Sequence, residues 1–229
     1  MSKASIPRAT HVVGSIVGLT STRTRVLDAA LSSFAARGYE ATSLDGLAAG
    51  LGIRKQTILH HFGSKEQLLD AVLRRAVDEL GAAVDAGLSR TGTGWQRLEA
   101  VVRAVFSLAG RRPELLGFVR EVGRLGPPFV TRLTEALEPL AERATGFLRA
   151  EMHSGGVRRH DPRLVLLSAY STVLGAATEV EVLRSLGVEP SVRLLVRRRR
   201  ELLGYLAEMV GVRKDIGESL RRRAAGPRS

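Results

Sequence analysis

The chain has 229 residues, 44% of them hydrophobic and only 4% aromatic, enough to bury one sizeable core or one core plus a small module. It contains no Cys, which excludes disulfide staples and thiolate metal sites and suits a reducing cytoplasm. The net charge of +12 is uneven: residues 1–75 carry ten Lys/Arg against five Asp/Glu, residues 76–192 fourteen of each, and residues 193–229 eleven against four. A neutral middle between basic ends suggests a polyanion-binding head on a neutral body. The C-terminal charge also fits a solvated helix face and a frayed tail. No basic, apolar leader opens the chain, and the longest uncharged stretch, residues 164–178, has 15 residues, short of the roughly 20 that span a bilayer. A cytoplasmic protein without membrane contact is expected.

Strong helix formers fill nearly every long segment, and no run of alternating β-branched residues appears, so the expected class is all-α. Residues 1–20 hold no stable period and read as a flexible arm. Its Lys3 and Arg8 either stay in solvent or reach a minor groove. A first helix is predicted over 22–37, with Val26, Leu27, Ala30, Leu31 and Phe34 on one face and Gly38 as its stop. A second starts at Thr42 or Ser43, with Asp45 in its first turn. Gly52 makes the turn, and a third helix covers about 54–61. Ser64 caps a fourth, whose apolar side runs from Leu68 to Leu80. Residues 89–94 read as a loop and linker. Four helices follow over about 95–110, 113–125, 128–152 and 162–185, with Pro113, Pro128 and Pro162 suited to first turns. Pro190 opens a last helix to about 212, and residues 213–229 read as a basic tail.

The stretch from Thr42 to Lys65 carries the most information. A short capped helix, a glycine turn and a second short helix form the unit that can lay its second helix in a DNA major groove. Leu44, Leu47, Ala48, Leu51, Ile53 and Ile58 would hold the pair together, leaving Arg54, Lys55, Gln56, Thr57 and His60 facing out. His61 either joins that face or packs beside Phe62. Taken alone, such residues are ordinary solvated helix side chains; the turn and the adjoining Ser64-Lys65 favour DNA contact. An enzyme finds no support, since no Gly-rich phosphate loop, nucleophile elbow or paired-carboxylate motif is present. No cofactor is expected. Glu151, His153, His160 and Asp161 flank a Gly-Gly break without helical ligand spacing and read as solvated loop residues, not as a metal site.

Residues 22–70 resemble the N-terminal domain of the tetracycline-repressor (TetR) family of bacterial transcription regulators. The matching features are Gly38-Tyr39, Thr42-Ser43, Leu47-Ala48, Gly52-Ile53, Lys55, Thr57, His60-His61-Phe62 and Ser64-Lys65-Glu66 before Leu68-Leu69. Leu59 departs from the family's usual Tyr, Arg54 from a small capping residue and Gln56 from Gly. The resemblance implies a three-helix DNA-binding head (21–68, helix-turn-helix about 43–62) and a helical ligand-binding and dimerisation body (69–212), between the arm (1–20) and the tail (213–229) already read from composition. Carried over by position, Lys55, Gln56 and Thr57 open the recognition helix, Leu59 and His60 touch bases or backbone, and Lys65 and Ser43 meet phosphate.

The same resemblance implies a pocket for a partly apolar small-molecule effector. Its candidate lining is Trp95, Arg103, Phe106, Phe118, Arg120, Phe129 and Tyr170. Dimerisation through the last two long helices would use Leu167, Ser171, Leu174, Thr178, Val192, Leu195, Arg199, Leu202 and Leu206. The implied function is a homodimeric repressor of a pseudo-palindromic double-stranded operator, released by its ligand. A TetR-like activator and a sequence-indifferent basic nucleic-acid-binding protein are the alternatives.

Overall fold

A computed structural model describes residues 21–155, 157–178, 180–189 and 191–209; the predicted arm and tail lie outside them. Among these residues the chain forms ten helices and no strand. They are α1 (Thr22–Arg37), α2 (Leu44–Leu51), α3 (Lys55–Phe62), α4 (Lys65–Leu88), α5 (Gly94–Arg111), α6 (Pro113–Leu125), α7 (Phe129–His153), α8 (Pro162–Thr178), α9 (Val180–Ser185) and α10 (Val192–Met209). The stretch expected as one helix over 162–185 is described as α8 and α9 on either side of residue 179, which lies outside the described residues. Helix α7 also runs through Pro139, which has no amide to give to the carbonyl four residues back.

Local chemistry accounts for most boundaries. Ser21, Ser43 and Ser64 each accept an amide of the following first turn, from Thr24, Gly46 and Gln67 respectively. Thr93 and Gln96 form a reciprocal capping box at α5, and Pro113 opens α6. Thr42 does not cap: it is buried, and its hydroxyl donates to the Gly38 carbonyl at 2.8 Å. Gly52 closes α2 in the left-handed region (φ +66°) and gives its amide to Ala48 and Ala49, the conformation a Cβ disfavours.

Two apolar cores result. The first gathers Val26, Phe34, Ile58, Phe62 and Leu68 from α1, α3 and α4, and extends to Phe118 and Val122 of α6 and Leu133 of α7. The Phe34 and Phe118 rings stack at 6.2 Å, and Tyr39 meets Phe129 at 5.3 Å. The second joins Trp95, Val102 and Phe106 of α5 to Leu148 and Met152 of α7, Val165 of α8 and Leu202, Leu203 and Leu206 of α10. Head and body therefore share a seam of aromatic packing.

Charged side chains fasten that seam. Arg75 of α4 reaches Asp28 of α1 at 2.8 Å, and Arg112 joins Asp28, Glu79 and Glu114. Arg132 of α7 pairs with Glu66 and Asp70 of α4 at 2.5 and 3.1 Å. Glu121 of α6 is buried beneath the α1–α2 turn, where it accepts the Tyr39 amide at 2.8 Å and both Arg124 donors at 2.9 Å. A Cβ at Gly38 (φ +87°) would stand 3.0 Å from its Oε1.

The Arg124 guanidinium holds the Glu121 carboxyl below the usual carboxylate range; burial opposes this, and the Tyr39 amide adds to it. A depressed folded pKa contributes stability above the ordinary Glu value of about 4.3 that is lost as pH falls through the folded one. Glu121→Gln is expected to flatten the stability profile in that acid window, as measured by urea unfolding from pH 3 to 7. Glu121→Ala, which orphans the Tyr39 amide, is expected to cost about 1–3 kcal/mol at every pH.

Candidate nucleic-acid interface

Helices α2 and α3 meet at the Gly52 turn, and the small helix α3 divides its side chains cleanly. Ile58 is wholly buried and Phe62 nearly so, anchoring α3 on the head core. Arg54, Lys55, Gln56, His60 and His61 are exposed, and Thr57 is half-buried. Residues four apart share a helix face and residues two apart do not, so fixing Ile58 and Phe62 inward turns Gln56 and His60 outward. Arg54 precedes α3 without capping it through its side chain. The two His rings stand 5.6 Å apart, and His61 also meets the Phe62 ring edge at 6.1 Å.

Three expected contacts have unexpected surroundings. Leu59 is half-buried and packs on the head core, so only part of it is available to a base. Lys55 Nζ donates to Asp45 of α2 at 2.8 Å. Lys65 lies 4.2 Å above the Tyr39 ring and donates to the Glu40 carbonyl at 3.3 Å. Ser43 accepts the Gly46 amide through its oxygen, which leaves its own O–H proton to donate. Arg23 and Arg25, outside the expected contact set, are both exposed on α1; Arg23 lies 5.3 Å over the Phe62 ring, and Arg25 donates to the Leu51 carbonyl at 3.1 Å. Their position relative to α3 is tertiary and leaves no trace in the sequence.

The seven candidate pocket residues are not brought together. Phe118 and Phe129 belong to the head-side core, and Trp95 and Phe106 to the body core. Tyr170 is 45% exposed on α8. Arg103 pairs with Glu99 beside a groove of about 710 Å³ between α4 and α5, while Arg120 borders one of about 630 Å³ between α1 and α6. Phe118 and Arg120 stand two apart on α6 and so point to different sides; a shared lining was never open to them.

The candidate dimer residues also separate. Leu167 and Ser171 are exposed on α8. Leu202 and Leu206 instead fill the body core at 3% and 1% exposure, because the apolar stripe of α10 is spent against α5 and α8. Arg199 is half-buried; burial first, then Arg103 and Arg200, push its guanidinium down, with Glu99 opposing. The side chains of Leu174, Thr178, Val192 and Leu195 lie outside the described residues. Glu151 is no loop residue: it is buried in α7 and paired with Arg97. Among the described residues no group of three or more His, Cys, Asp or Glu could hold a metal, and no helix is long and apolar enough to cross a membrane.

A three-helix head with an anchored, outward-polar second helix, set on a helical body, defines a helix-turn-helix protein of the DNA-binding type. Residues 26–72 match the family model described as bacterial regulatory proteins, tetR family. Over 84 residues it is 42% identical to the transcriptional activator FasR of Mycolicibacterium smegmatis, covering 37% of this chain and 38% of that one. Over 88 residues it is 35% identical to the transcriptional repressor KstR2 of Mycobacterium tuberculosis, covering 38% and 44%. The matched stretch thus spans less than half of each relative. The structure of FadR from Bacillus subtilis in complex with stearoyl-CoA superposes with a TM-score of 0.68 at 20% identity, covering 82% of this chain and 98% of that one. The helical fold is shared with it over that span.

Proposed function

We propose that the protein is a homodimeric transcriptional regulator that represses from a pseudo-palindromic operator and is released by a small-molecule effector. The observation that carries this reading is the outward polar face of α3, set by its buried Ile58 and Phe62. Ser43, Arg54, Lys55, Gln56, Thr57, Leu59, His60, His61 and Lys65 form the proposed contact set. Side chains such as Gln56 suit base edges, and the lysines suit phosphate. FasR is an activator, which keeps activation as a second reading of the same DNA contact. The cytoplasm is the proposed compartment, with residues 21–68 as the head and 69–212 as the body.

The second copy would dock on α8 and α10. Leu164, Leu167 and Tyr170 of α8 and Val196 and Tyr205 of α10 are exposed at 39–61%, an apolar face of the kind that marks interfaces. Leu167→Arg is expected to shift the protein to monomer at micromolar concentration in sedimentation velocity; an unchanged mass would remove that face from the interface.

For the effector we propose a partly apolar molecule held in the body; the FadR structure, which shares the fold, is a complex with stearoyl-CoA. Trp95 Nε1, buried in the second core with no hydrogen-bond partner among the described residues, supports a polar group of the effector at that point. Release would act through α4, which Arg75 and Arg132 tie to α1 and α7, by favouring a state with different head separation. Selection of tight-binding sequences from a random duplex library tests the DNA reading. An inverted repeat is the expected product, and recovery of unenriched sequence would contradict it.

A further inference from the structure

Asp45 is the one acidic residue between Thr42 and Lys65, and it stands among exposed cations and amides. Its side chain is 70% exposed, that of Lys55 46%, and Nζ meets Oδ2 at 2.8 Å. The carboxylate gains from the first turn of α2, yet an ion pair this exposed contributes little to stability. Its consequence falls instead on whatever approaches the face. A phosphate must compete with Asp45 for Lys55, and a lysine whose charge is already matched releases no counterion on meeting DNA.

We propose that Asp45 is a specificity-determining residue, whose pairing with Lys55 withholds that cation from arbitrary duplexes until a cytosine amine takes the carboxylate. The proposal rests on the DNA-binding reading above. Breaking the pair on an arbitrary sequence leaves a carboxylate facing phosphates, so there Lys55 stays paired. Cytosine N4 presents a donor in the major groove that a carboxylate accepts. Where the sequence sets that amine beside the start of α2, Asp45 exchanges one donor for another and Lys55 is freed for phosphate or a guanine edge. The salt bridge thereby lowers binding to bulk DNA more than binding to the preferred site.

The test uses the full chain with two duplexes of equal length, one recovered by selection and one scrambled. Asp45→Asn is expected to bind the scrambled duplex roughly 3–10-fold more tightly near 0.1 M salt, with a log–log salt slope steeper by about 0.9. Its affinity for the selected duplex rises less or falls, so the ratio between the two shrinks. Selection repeated with the variant loses a cytosine preference in each half-site. In a Lys55→Ala background the same substitution leaves the scrambled-duplex affinity unchanged. An unchanged slope in the single variant overturns the proposal, and so does an equal gain in the Lys55→Ala background, which would make Asp45 a plain repulsive charge. A wild-type chain that binds neither duplex overturns the DNA-binding reading itself. Circular dichroism verifies the fold, and Asp45→Ser repeats the comparison should the Asn variant unfold.

Discussion

Replacing Phe118 with Ala is expected to lower the stability of the chain by about 3–5 kcal/mol, the usual result of emptying a buried aromatic site. The ring is fully buried and stacks on Phe34, so its removal opens a void where α6 meets the head. At roughly 2–4 °C per kcal/mol for a chain of this size, thermal melting should fall by about 6–20 °C. The location adds a second expectation. Because the seam joins head and body, hydrogen exchange in α1 should rise together with that in α6. A loss below about 1 kcal/mol would mean that the ring borders an open pocket.

The second large effect concerns DNA. Lys55→Ala combined with Lys65→Ala is expected to weaken binding to the selected duplex by roughly 10–100-fold near 0.1 M salt, because removing one lysine from a phosphate shallows the salt slope by about 0.9. Both lysines are tethered by exposed or half-exposed partners, Lys55 by Asp45 and Lys65 by the Glu40 carbonyl, which a phosphate can displace. On a scrambled duplex the weakening should be smaller, since Lys55 is already neutralised there. Fluorescence anisotropy across a salt series, with helicity and oligomeric mass as controls, checks both statements. Undiminished affinity for the selected duplex would refute the assignment of these residues.

The head was legible in the sequence because its signals are local. A serine before an apolar run caps α4, Gly38 ends α1 and Gly52 turns α2 into α3, and each depends on a few adjacent residues. Burial of Ile58 followed in the same way, from helical spacing. What the sequence could not convey is which partner each buried face selects. Phe118 and Phe129 read as pocket lining, yet the first core claims them; Leu202 and Leu206 read as interface, yet the monomer buries them. An apolar stripe states that a face is covered and leaves open what covers it. Likewise Glu151, beside a Gly-Gly break, read as loop until α7 carried it into an ion pair with Arg97. The Asp45–Lys55 pair spans ten residues and two helices, a distance that no helical period describes.

The face of α3 meets its most direct test in chemical protection by the full-length chain on the selected duplex. Dimethyl sulfate methylates guanine N7 in the major groove and adenine N3 in the minor groove, atoms that report separately on the two surfaces of the duplex. The account predicts guanine N7 protection in two patches about one helical turn apart, related by the symmetry of the site, with α3 as its source. Protection confined to adenine N3, or none at saturating protein, would contradict it.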